Sequence, residues 1–153
     1  MRSAISSVAA VDPSVPTMKK LPASPIPPER ITLLAIDPHK DDCQTLLSIL
    51  GDGDWNIRGA SSLREATTLM NESVPDLILC ERELPDGSWK DVFCMLAGRR
   101  RPPVVVVSRK ADERLWAEVL NLGGFDMLLK PYDGAELRRM IHYACPSRFA
   151  AAD

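Results

Sequence analysis

No apolar stretch of the chain approaches the roughly 20 residues that a bilayer-crossing helix needs, which excludes an ordinary helical membrane protein. Charge of one sign is also missing. The 19 Lys and Arg residues stand against 21 Asp and Glu, for a formal net charge of -2 over 153 residues. Without a basic surplus there is no bulk attraction for a polyphosphate backbone, so nucleic acid is not an expected partner. Metal-binding sulfur is scattered as well: Cys43, Cys80, Cys94 and Cys145 form no C-x-x-C pair, and only His39 and His142 accompany them. A structural thiolate-zinc site is therefore not expected. All four thiols read as reduced, small core residues of a cytosolic chain.

Proline is plentiful but unevenly placed. Of thirteen prolines, six fall in the first thirty residues (Pro13, Pro16, Pro22, Pro25, Pro27 and Pro28) among Ser, Ala and Val without helical or strand periodicity. Such a segment buries too little surface to offset its ordering entropy, and residues 1–30 are expected to form a flexible tail. Arg2 before a weakly apolar stretch would suit a secretory leader, but Ser3, Ser6 and Ser7 interrupt the stretch and Asp12-Pro13 closes it.

From Ile31 short apolar runs alternate with longer amphipathic ones. Strands are predicted at 31–36, 55–60, 76–80, 104–107 and 125–129. Helices are predicted at 41–50, after Ser62 with Glu65 at capping-box spacing, at 89–97, at 112–122 before Gly123-Gly124, and at 133–144. In the first helix Cys43, Leu46, Leu47 and Leu50 form the expected apolar stripe. Near-continuous apolar strands joined by helical crossovers mean a parallel sheet covered on both faces, a doubly wound α/β domain over 31–145. The half-polar second strand belongs at an edge, and 146–153 remains as a short tail.

Ligand sites in such sheets lie beyond the carboxyl ends of the strands, so the residue after each apolar run is the place to look. Those residues are Asp37, Glu81, Ser108 and Lys130. Carboxylates suit a hard cation, while a hydroxyl and an ammonium hold anionic oxygens. No G-x-G-x-x-G or Walker loop is present, and with 5% aromatic residues there is little to stack a flavin, so both nucleotide branches of the architecture lose their support.

Asp37, the strand Asp76-Leu77-Ile78-Leu79-Cys80, the turn Leu84-Pro85-Asp86-Gly87, Ser108 and Leu129-Lys130-Pro131 together resemble the receiver domain of bacterial two-component response regulators. The resemblance spans about residues 31–145. It implies a flavodoxin-like five-stranded parallel sheet in the order 2-1-3-4-5. It also implies an aspartate after the third strand that takes a phosphoryl group from a histidine kinase, an acid pair that binds magnesium, and a Ser/Thr and a Lys that read the phosphoryl oxygens.

Several positions depart from that pattern. The phosphoacceptor position, four before Pro85, holds Glu81; the second member of the acid pair is Pro38; the aromatic switch position, three before the lysine, is Met127; and the small residue after the Ser/Thr is Arg109. An extra methylene moves the carboxylate toward Ser108 and Lys130, and a misplacement of about 1 Å can cost a hundredfold in rate. Pro38 offers no side-chain oxygen, so Asp37 alone is a degenerate ligand and any magnesium site is expected to be weak, with no other cofactor. Glu81 is expected to pair with Lys130 and accept a hydrogen bond from Ser108, and Glu83 to pair with Lys110 or Arg109 across the pocket mouth. The expected function is a stand-alone, atypical receiver of the phosphorelay type, with no enzymatic activity, working as a phosphorylation-independent interaction module; the alternative is a functioning phosphoreceiver. With only nine residues after Ala144, signalling is expected to run by docking of the face made by the fourth helix, fifth strand and fifth helix on a histidine kinase or effector, with a homodimer as a further form.

Overall fold

The structure, a computed structural model, describes residues 30–39, 41–51, 55–98, 101–110 and 112–146. The expected tails, apart from Arg30 and Pro146, and the Arg99-Arg100 pair lie outside the described residues. Strand β1 (Ile31–Ile36) is buried at every position, because a central strand of a parallel sheet has no solvent face. It is followed by α1 (Asp42–Leu50), β2 (Trp55–Ala60), α2 (Leu63–Glu72) and β3 (Leu77–Glu81). A two-residue hairpin, β4 (Glu83–Leu84) and β5 (Gly87–Ser88), precedes α3 (Trp89–Leu96). Then come β6 (Val104–Ser108), α4 (Glu113–Asn121), β7 (Asp126–Leu129) and α5 (Gly134–Ala144).

The main sheet is parallel throughout and ordered β2-β1-β3-β6-β7, so the order 2-1-3-4-5 of the five sheet strands is observed, with β2 at an edge. Successive side chains of each strand feed opposite faces. Leu34, Ile36, Ile78 and Val106 pack with Ala66, Met70, Val92, Leu96, Leu115 and Val119 of α2, α3 and α4. On the other face Leu33, Ala35, Leu79 and Val107 pack with Leu46 and Leu50 of α1 and with Leu137 and Ile141 of α5. Cys80 and Cys145 are buried thiols, and all four cysteines are free.

Three local details differ from the sequence reading. Ser62 caps α2 by accepting from the Glu65 N–H at 3.2 Å, but the Glu65 carboxylate takes the N–H of Ser61, not that of Ser62. The reciprocal capping box is on α3 instead, between Ser88 and Asp91. The turn at 84–87 closes the β4–β5 hairpin, where Asp86 accepts from the N–H groups of Leu63 and Arg64 and so caps α2 from outside. The stripe expected on α1 is rotated: Leu46 and Leu50 are buried, but Leu47 is 46% exposed and Asp42 points inward with them. The i, i+4, i+8 row 42, 46, 50 is the inner face because Lys130 draws the Asp42 carboxylate in.

Candidate functional site

Register puts the polar residues on one rim. Ile36 pairs with Cys80 and Ala60, Glu81 with Val107, and Ser108 with Leu129, so Asp37, Glu81, Ser108 and Lys130 emerge together at the carboxyl ends of β1, β3, β6 and β7. At the centre lies the Lys130 ammonium, only 6% exposed, in contact with Asp37 Oδ2 and 3.1 Å from both Asp42 Oδ1 and Glu81 Oε2. The expected Glu81–Lys130 pairing distance is present. Its geometry is that of an ion pair without an aligned donor, since Glu81 Oε2 is fully buried and has no hydrogen-bond partner. The Ser108 hydroxyl does not meet that oxygen; it accepts the Lys110 N–H at 3.2 Å.

Two further residues belong to the site, and of these only Asp42 was not singled out from sequence. Asp42 reads there only as an acid in the first turn of a helix, yet it is a third carboxylate on Lys130, with the Tyr132 hydroxyl donating to its other oxygen at 3.4 Å. His39, read as a loop residue near Asp37, folds back so that its backbone N–H and its Nδ1 both lie 2.7 Å from Asp37 Oδ1. An ionised carboxylate oxygen can only accept, so at that distance Nδ1 is the donor of the contact. Neither has a signal in spacing or charge count, since Asp42 is placed by Lys130 and His39 by the way the loop after β1 folds back on Asp37.

The charges are coupled. Burial works to raise the Asp37 carboxyl, but hydrogen bonds from Lys130 and His39 outweigh it and hold Asp37 below its ordinary 3.8. Burial raises Asp42 and Glu81 above their ordinary values, with Lys130 opposing in both cases. Lys130 itself is held above 10.5 by the acids despite its burial. Among the three carboxyls, burial thus favours the protonated form of Glu81 and Asp42, while Asp37 is held ionised by its hydrogen bonds.

The other expected residues are placed apart. Met127 is half-buried against the core on the α2–α3–α4 side. Glu83, Arg109 and Lys110 are all exposed, and no ion pair among the described residues joins Glu83 to either cation. The pair that does cross the mouth is Arg82 with Asp112, the α4 N-cap, at 3.5 Å. Glu83 instead enters the β4–β5 hairpin, where it is exposed. Arg109 borders a cavity of about 360 Å³ with His39, Asp42, Thr45, Lys130 and Tyr132. A second cavity of about 220 Å³ lies on the other side of His39, bordered by Asp37, Cys43, Gly59 and Ser61.

Magnesium tests poorly against these residues. It demands near-octahedral oxygens at about 2.0–2.1 Å and usually takes one or two carboxylates. Here the two oxygens of Asp37 are held by Lys130 and His39, position 38 is a proline, and the third donor that approaches Asp37 and Glu81 is a nitrogen.

A doubly wound domain that gathers acids and a lysine beyond the carboxyl ends of β1, β3 and β7 belongs to the class of signalling receivers. The response regulator receiver domain pattern matches residues 33–142, and the chain belongs to that family. It is similar to the response regulator protein PilR of Pseudomonas aeruginosa, 30% identical over 121 residues that cover 78% of this chain and 27% of PilR. It is also similar to the transcriptional regulatory protein KdpE of Mycobacterium tuberculosis, 33% identical over 95 residues, 62% of this chain and 40% of KdpE. The chain thus matches less than half the length of these relatives. Among solved structures, a two-component response regulator from Clostridium difficile superposes with a TM-score of 0.68 at 27% identity, over 75% of this chain and 95% of that one. The beryllofluoride-activated NtrC4 receiver domain dimer shares the fold, with a TM-score of 0.68 at 19% identity over 76% of this chain and 98% of that one. No helix among the described residues is long and apolar enough to cross a membrane.

Proposed function

We propose that this receiver is an atypical one, a signalling and protein-interaction module that works without an acyl phosphate at Glu81. One observation carries the reading: the Lys130 ammonium, which would read a phosphoryl oxygen, is already shared among Asp37, Asp42 and Glu81. A phosphoryl group arriving at Glu81 would have to take Lys130 from two other carboxylates and would meet their negative charge at close range. Arg82 and Asp112 meet above the same rim.

The site thus holds in one charge arrangement, and signalling runs by docking. The surface for it is the side made by α4 and β7, beside α5, where Trp116, Leu120, Phe125 and Leu129 are exposed large apolar side chains. A histidine kinase, an effector or a second copy of the chain would seat there.

Incubation of the full chain with magnesium and acetyl phosphate, followed by intact mass measurement, tests the reading. The expected mass is unchanged. A hydroxylamine-labile phosphoryl adduct that maps to Glu81 would establish the alternative, a working phosphoreceiver.

A further inference from the structure

We propose that Arg82 is a positioning residue for α4: its guanidinium holds the Asp112 carboxylate, and through it the first turn of the helix, so that the residue next to Glu81 sets how firmly this side of the domain is presented. The two carboxylate oxygens of Asp112 divide the work. Oδ1 accepts the N–H groups of Arg114 and Leu115 at 3.0 and 3.2 Å, which caps α4, while Oδ2 lies 3.5 Å from Arg82 Nη1. One side chain thus belongs both to the helix and to the ion pair.

The two partners are anchored unequally. The Arg82 backbone is fixed between two elements, since its N–H donates to the Val107 carbonyl at 3.0 Å and its carbonyl accepts the Trp89 N–H at 3.2 Å. Asp112 stands instead at the open end of a helix whose buried residues are Leu115 and Val119. The guanidinium is therefore the fixed partner and the cap the held one. Further along, α4 has ties of its own, from Lys90 to Glu118 at 2.8 Å and from the Trp116 indole to Asp126, so Arg82 serves the first turn in particular. Its side chain is 39% exposed and that of Asp112 33%, and a pair so open to water is too weak to govern the stability of the whole domain. Opening of one terminal turn costs far less than global unfolding, and there a weak hold counts. The fold supplies a reference helix: Asp133 caps α5 in the same manner, accepting the Glu136 N–H at 3.0 Å, and among the described residues no cation pairs with it.

The service of this hold to docking rests on the reading of α4 as part of the docking side. The hold itself does not depend on that reading, and its test is separate from the phosphodonor experiment. Amide hydrogen exchange of the full chain, followed by NMR at low ionic strength, reads it directly. The reporters are Arg114, Leu115 and Trp116, whose N–H groups all bond to Asp112. Arg82→Gln should speed their exchange by about two- to fivefold, the range that an exposed pair supplies, and leave Glu136 and Leu137 at the start of α5 unchanged. Asp112→Asn keeps a capping side chain without its charge, and in that background Arg82→Gln should change nothing. Sodium chloride at about 1 M should likewise erase the difference between the natural protein and Arg82→Gln. An unaltered first turn in Arg82→Gln, the same acceleration in the Asp112→Asn background, an acceleration that reaches α5 equally, or a difference that survives the salt would each overturn the assignment.

Discussion

Asp42 is a carboxylate at the head of an apolar helix face, and its surroundings set how it responds to pH. Burial pushes its carboxyl above the ordinary 3.8, Asp37 adds to that push, and Lys130 and the Tyr132 hydroxyl oppose it. A carboxyl whose folded pKa is raised holds its proton longer in the folded chain than in the unfolded one. Folding stability then falls as pH rises through the interval between the two values. Asp42→Asn removes that interval, while Glu81, which is raised in the same direction, remains in both proteins. The stability of the natural protein relative to Asp42→Asn should therefore decline as pH rises from the ordinary carboxyl range through the raised folded value, as followed by urea denaturation at a series of pH values. A gap that widens with pH would mean that the ionised contact with Lys130 outweighs the burial.

At the level of elements, α4 and β7 are joined at the surface by Trp116, which donates its indole N–H to Asp126 Oδ1 at 3.3 Å, while 47% of the residue stays exposed. Leu120 lies one turn further along α4, so the helix shows an apolar row to solvent that its core contacts through Leu115 and Val119 do not use. If this row seats a second copy, sedimentation velocity should show concentration-dependent association that Trp116→Asp abolishes. The urea midpoint should shift by no more than about 1 kcal/mol of stability, since the side chain is not core. Identical sedimentation of both proteins would remove self-docking from this surface. Elements were also the most legible level of the sequence. Runs such as Val104–Val107 leave no alternative to a strand buried on both faces, and Gly123, with a left-handed φ of +96°, ends α4 where it was expected to end. The orientation of α1 was not legible, because Leu46 and Leu47 are both apolar and periodicity cannot choose between them. A lysine far along the chain makes the choice. The same holds for the rim: residues following the apolar runs could be read directly, whereas Asp42 and the folded-back His39 depend on contacts that spacing does not encode.

Considered as a whole molecule, the charge cluster has a temporal consequence. Lys130 and Asp37 are separated by 93 positions in the chain and, within the sheet, by β3 and β6. Their encounter must wait until the intervening strands have been laid down, since closing so long a loop yields nothing until the sheet spans it. Interactions made after the rate-limiting step of folding act on the escape rate from the native state and leave the arrival rate almost untouched. Lys130→Met strands three buried carboxylates, at a cost of about 3–5 kcal/mol. In a chevron plot that loss should appear almost wholly in the unfolding limb, with the refolding limb superimposable on that of the natural protein. A matching drop in refolding rate would show that the cluster forms early. With a late-forming cluster, the buried charges serve the protein chiefly as persistence, setting how long each folded molecule lasts before it next opens.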